Sequence, residues 1–128
     1  MSFIIESQTI STNTLLEANF PYEVTQWRIG EQRRNGRLHD TNGINLSFPE
    51  LKNWGEAFPV LESFFREHCE ALQRLKEIGA HTELFLGVFV GAAESYAPVL
   101  DFPVNLLSKL SSLEINLSIA CYPTSDET

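Results

Sequence analysis

Apolar residues recur along this chain with two periods, and the changes from one to the other mark out its elements. Over residues 57–78, Phe58, Leu61, Phe65, Leu72 and Leu75 return at spacings of three, four and seven, the rhythm of one helical face. Phe64 and Cys69 widen that stripe. Glu62, Arg66, Glu70 and Arg74 follow one another four residues apart with alternating sign, as suits a solvated face. Pro59 fits the first turn, where a missing N–H costs nothing, and Gly79 fits the stop. The spacing predicts a long amphipathic helix with one face to bury.

Elsewhere the period falls to two. Residues 2–10 open with Phe3, Ile4 and Ile5 and read as a first strand. Ser11, Thr12, Asn13 and Thr14 offer N-caps for a short helix at residues 15–18, closed by Pro21. Alternation over residues 24–29 predicts a second strand, with Trp27 and Ile29 on one face. The polar stretch 30–43, rich in Gly, Asn and Arg, reads as a loop or loose hairpin. Ile44, Leu46 and Phe48 alternate with polar residues in a third strand that Pro49 stops. Residues 83–90 are almost continuously apolar, which predicts a central strand buried on both sides. Pro103 starts a short helix through Leu106, Leu107 and Leu110. Ile115, Leu117, Ile119 and Cys121 alternate in a final strand, and residues 124–128 form a frayed tail.

The order β-α-β-β-α-β-α-β implies one α+β domain, residues 1–128. Its sheet is mainly antiparallel, with the long helix (about 57–78) and the short helices packed on one face. The chain has 128 residues and 43% hydrophobic content, enough for a packed core. No apolar run approaches the roughly 20 residues that span a bilayer, and the N-terminal segment has no basic region ahead of its apolar residues. Cys69 and Cys121 lack metal or redox spacing and suit two buried free thiols in a reducing cytoplasm.

Charge adds more. The net charge is −8, unevenly spread. Residues 1–49 carry four arginines against five acids, −1; residues 50–128 carry five basic and twelve acidic residues, −7. Such acidity disfavours nucleic acid and anionic membrane, and favours a cationic partner. Plain solubility explains it equally well.

Catalytic chemistry finds no frame. His39, His68 and His81 show no paired-ligand spacing, so no metal or cofactor is expected. His68 lies within the apolar stripe, which fits a partly buried, hydrogen-bonded histidine. It cannot form a dyad with Cys69, because neighbours on a helix point about 100° apart. Arg28, Arg33, Arg34 and Arg37, near Trp27, could grip phosphate, but a solvated loop accounts for them more simply. The segment 91–101 combines small residues with Glu94, Tyr96 and Asp101, suited to a protein-binding edge, although a plain strand-to-helix connection would read the same way.

Two segments carry a resemblance. Residues 15–31, LLEANFPYEVTQWRIGE, run helix–Pro–strand–Gly-Glu, and residues 106–123, LLSKLSSLEINLSIACYP, run from a leucine-rich helix into a strand. With NGINLSFPEL between them, this order resembles a family of small bacterial α+β domains of unknown function, over nearly the whole chain. The sequence departs from the family at Ile44, Asn45 and Leu46, where a tryptophan is frequent. No catalytic residue carries over. Size, acidity and the lack of a catalytic frame are also similar to immunity proteins of contact-dependent and polymorphic toxin systems.

That resemblance implies a non-catalytic cytoplasmic protein that occludes a cognate, cationic toxin domain, such as a basic nuclease. The expected interface residues are Glu94, Tyr96 and Asp101, then Glu50, Trp54 and Glu56, acids pairing with toxin Lys or Arg and aromatics anchoring. The competing expectation is a small-molecule-binding or regulatory domain, with Trp27 and Tyr122 near a space between sheet and helix.

Overall fold

The structure is a computed structural model that describes residues 1–49, 54–91 and 100–124. Strand β1 (Ser2–Ser7) leads into helix α1 (Thr12–Leu16), then β2 (Glu23–Trp27) and β3 (Asn42–Ser47). A 3-10 turn (Trp54–Glu56) enters α2 (Ala57–Glu67) and α3 (Cys69–Glu77). Strand β4 (His81–Gly91), helix α4 (Val104–Ser112) and β5 (Ile115–Thr124) complete the chain. The five strands lie in the order β2-β3-β1-β4-β5. All neighbours are antiparallel except β4 and β5, which run parallel and are joined through α4. The architecture is the expected α+β one.

Register explains which residues face the helices. Phe3 sits between Leu46 and Leu84, and Ile5 between Ile44 and Thr82, all buried. Period-2 alternation therefore brings one side of β1, β3 and β4 to a single surface. Leu61, Phe64, Phe65, Leu72, Leu75, Leu106 and Leu110 cover it from the helices. Phe64 is the hub: its ring meets Phe3, Phe20, Tyr22, Phe48, Phe65 and His68 at centroid distances of 5.1–5.7 Å. Tilted and edge-on pairs at such distances are favoured by the ring quadrupoles.

Several expectations are corrected. The helix expected over residues 57–78 bends at His68, whose φ of −115° and ψ of 18° leave the helical region, so two helices replace one. The hydrogen-bond ladder still crosses the bend, from His68 N to the Phe64 carbonyl and from Leu72 N to the His68 carbonyl. The His68 ring packs on Phe20 and Phe64. Its Nε2, expected to be hydrogen-bonded, is buried with no partner among the described residues. Both cysteines are free, as expected, but exposed rather than buried. Cys69 begins α3 just past the bend, and Cys121 lies on an outermost strand.

Strand β4 is buried on its helix side alone: Leu84, Leu86 and Val88 are covered, whereas Glu83, Phe85 and Gly87 alternate with them half-buried. β1 is shorter than its expected range because Ser7 turns the chain, its Oγ accepting from the amides of Thr9 and Ile10. Ser11 then caps α1 by accepting from Thr14 N.

Candidate partner-binding surface

The helices occupy one face of the sheet, and the register assigns every second residue to the other. Across it run Trp27, Gly43, Glu6 and His81 in one row, then Thr25, Asn45, Ile4, Glu83 and Asn116 in the next. Glu23, Ser47, Ser2, Phe85 and Ser118 form a third row. This face is chiefly polar and carries three acids, Glu6, Glu23 and Glu83.

One aromatic group is built into it. Trp27 lies across Gly43 so closely that a Cβ there would stand 2.2 Å from the indole. Glycine is required at this position for close approach rather than for a turn. The chain leaves the sheet after Trp27 and returns at Asn42 as a small hairpin. Gly30 N bonds to the His39 carbonyl, His39 N to the Glu31 carbonyl, and Arg33 N to the Arg37 carbonyl. Gly36 turns its tip with φ of 84°. This hairpin places the His39 ring on Trp27, centroids 5.2 Å apart and planes 18° apart. The indole Nε1 donates to Thr41 Oγ1 at 3.4 Å, and that hydroxyl donates to Glu6 Oε2 at 3.1 Å. Thr12, buried under the same strand end, donates to the Trp27 carbonyl.

Two buried polar atoms here, His39 Nδ1 and Asn45 Oδ1, have no hydrogen-bond partner among the described residues. An unmet buried acceptor costs about 1–3 kcal/mol. Glu23 and Glu83 enter no ion pair among the described residues. The ion pair there is Arg33 with Asp40, at 3.8 Å and well exposed, and contributes little. Arg28 instead donates to Asn13 Oδ1 at 2.8 Å.

The expected interface residues are placed as follows. Glu50, Glu94 and Tyr96 lie outside the described residues. Trp54 opens the 3-10 turn, and its side chain is likewise outside them. Glu56 is exposed at the N-cap of α2, where the helix dipole favours a carboxylate. Asp101 is exposed ahead of α4 and enters no ion pair among the described residues. An edge-on contact between Phe58 and Phe102, centroids 5.4 Å apart, ties the segments bearing Glu56 and Asp101 together. Trp27 and Tyr122 were expected near a space between sheet and helix. Both instead belong to the helix-free face, Tyr122 packing within 3.3 Å of a Cβ built on Gly87.

A separate groove of about 450 Å³ runs between α2 and α4. Phe65 and Leu106 form its floor, and Glu62, Arg66, Cys69, Asn105 and Lys109 its walls. Among the described residues no three His, Cys, Asp or Glu side chains converge as metal ligands. No described helix is long and apolar enough to cross a membrane. No family model, curated protein or solved structure matches this chain.

Proposed function

We propose that this protein is a cytoplasmic immunity protein: it binds a cognate cationic toxin domain, such as a basic nuclease, and blocks it by occlusion without catalysis of its own. The observation that carries this reading is the surplus of surface carboxylates left outside ion pairs. Glu23, Glu83 and Asp101 stand in none among the described residues, in a chain of net charge −8. Carboxylates that are not neutralised internally project a field, and such fields raise the association rate with a cationic surface. Trp27, half-buried beside Glu6, offers the kind of aromatic anchor that concentrates binding energy. The resemblance to small bacterial α+β domains and to immunity proteins agrees with a role that needs no catalytic centre.

Two surfaces compete for the toxin: the segment of Glu94, Tyr96 and Asp101 with Glu56, and the helix-free face with Glu23 and Glu83. Co-expression with the polypeptide encoded beside this protein, affinity capture and a salt titration test the reading. A one-to-one complex that restores growth of poisoned cells and weakens with salt supports it. Glu94→Lys with Asp101→Lys, compared with Glu23→Lys with Glu83→Lys, locates the surface, since the relevant pair slows association at low salt. Absence of both binding and rescue refutes the reading. The groove between α2 and α4 favours a second one, a small-molecule-binding or regulatory domain. Its volume lies within the range of ligand sites, and its apolar floor sits beside the cations Arg66 and Lys109.

A further inference from the structure

Strand β5 closes one end of the sheet: it pairs with β4 along its length and, among the described residues, with no strand on its other side. Natural edge strands are commonly guarded against pairing by charges, prolines or bulges, or by being short. Residues 115–122 have none of these guards. The segment INLSIACY holds no charge and no proline, and its register with β4 runs without a bulge. Glu23, by contrast, marks the opposite edge, β2.

The helix above this edge has the same character. Along α4, Leu106 and Leu110 are buried, while Asn105, Leu106 and Lys109 line the groove toward α2. At 100° per residue the side turned away from α2 carries Val104, Leu107 and Ser111. Because α4 packs on both β5 and α2, that side overhangs the free edge. Val104 is 79% exposed, and Leu107 and Ile119 are 44% exposed each. Cys121 is exposed too. The only charge on α4, Lys109, faces the groove. A charge-free strip about 26 Å long, from eight residues at about 3.3 Å each, therefore runs beside apolar side chains in a protein of net charge −8.

We infer that β5 and α4 form a homodimer seam, the edge of one copy pairing antiparallel with that of a second to give a continuous ten-stranded sheet. The charges argue for this occupant. A cationic partner gains nothing from a neutral strip, whereas two anionic copies can approach closely only where neither presents charge, and this chain supplies a matching strand. A two-fold axis normal to the sheet at Ser118 or Ile119 keeps helix-side residues opposite helix-side residues, as the period of two demands. The same axis brings the Val104 and Leu107 sides of the two α4 helices together above the seam. Ionic strength gives the seam a signature: salt screens repulsion between the two −8 bodies and tightens the dimer, whereas salt loosens a complex with a cationic toxin.

Sedimentation equilibrium of the full chain under reducing conditions, over a concentration series at low and high salt, tests this. The expected result is a monomer–dimer equilibrium that shifts toward dimer with salt. Ile119→Lys and, separately, Leu107→Glu each weaken it by at least about tenfold, because symmetry counts each change twice. Circular dichroism and thermal melting confirm that these half-exposed substitutions leave the monomer folded, and Leu107→Glu alone decides if Ile119→Lys unfolds. Glu23→Lys, on the far edge, leaves the seam intact. A monomer at every concentration, or a dimer that survives both seam substitutions, overturns the inference. So does an edge that pairs only with an added toxin.

Discussion

Gly43 and Trp27 make a contact whose energetics can be worked through. Gly43→Ala puts a methyl group 2.2 Å from the indole Cζ2 and 2.4 Å from Cε2, far inside van der Waals contact, so the ring must leave its place. The indole then loses its stack on His39 and its long hydrogen bond to Thr41. Overpacking of this kind costs about 1–3 kcal/mol. Against it, alanine restricts the unfolded chain and, where its conformation fits, stabilises by about 0.4–1 kcal/mol. Gly43 has no positive φ, so that gain applies fully once the clash is gone. The net expectation is a loss of about 0.5–2 kcal/mol in the wild-type background. In a Trp27→Ala background the same change becomes neutral or stabilising.

Urea denaturation of the four proteins in the double-mutant cycle measures the coupling directly, expected at about 1–3 kcal/mol. A Trp54→Phe background leaves Trp27 as the sole indole in the two proteins that retain it, and its emission there reports the displaced ring. Equal costs of Gly43→Ala with and without Trp27 would refute the account and show that the glycine serves the backbone alone.

Three further outcomes are expected. Phe64→Ala, at the centre of six ring contacts, should destabilise by about 3–5 kcal/mol in chemical denaturation. Ser11→Ala removes the side-chain cap of α1 and should cost about 0.5–2 kcal/mol, less than Phe64→Ala. The Tyr22 hydroxyl titrates above its ordinary value, first because burial disfavours the phenolate and then because the Glu67 charge does. Its stabilising contribution is therefore complete below the unfolded value of about 10 and is lost as pH rises through the higher folded value. Tyr22→Phe should flatten the alkaline limb of the stability curve, and ultraviolet titration with Glu67→Gln should show the ionisation moving down.

Where local chemistry and tertiary packing agreed, the sequence could be read directly. Leu61, Phe65, Leu72 and Leu75 face the core as their spacing requires, and Ile44 and Leu46 alternate as strand β3. The bend at His68 was hidden because the apolar spacing continues across it, while the backbone departure accompanies contact with Phe20, a residue 48 positions earlier. Cys69 joined the flank of the apolar stripe by spacing, yet it lies exposed at the start of α3 while Leu72 and Leu75 carry the stripe on into the core. Of the surface, little was legible. Gly43 follows Asn42 and resembles turn punctuation, and only the pairing of β2 with β3 shows that it sits under an indole. His39 reaches Trp27 through a hairpin whose polar, arginine-rich sequence resembles plain loop. A clue lay in two glycines, Gly30 and Gly36, both with positive φ, spaced to start and turn a hairpin. The charge-free run of β5 was visible as letters, but whether it lay inside the sheet or at its edge depended on strand order.

The place of β1 has a consequence for how the protein is made. Of the strands in this sheet, the first to be synthesised is the middle one, and its neighbours are residues 42–47 and 81–85. A nascent chain that has emerged only as far as α3 holds β2, β3 and β1 with one flank of β1 bare, and that flank stays open until β4 arrives. Its closure rejoins segments some eighty positions apart, a slow kind of event for a folding chain. Any pause in translation between α3 and β4 thus prolongs the interval in which a half-built, pairing-competent sheet stands open, and aggregation or chaperone capture competes with completion.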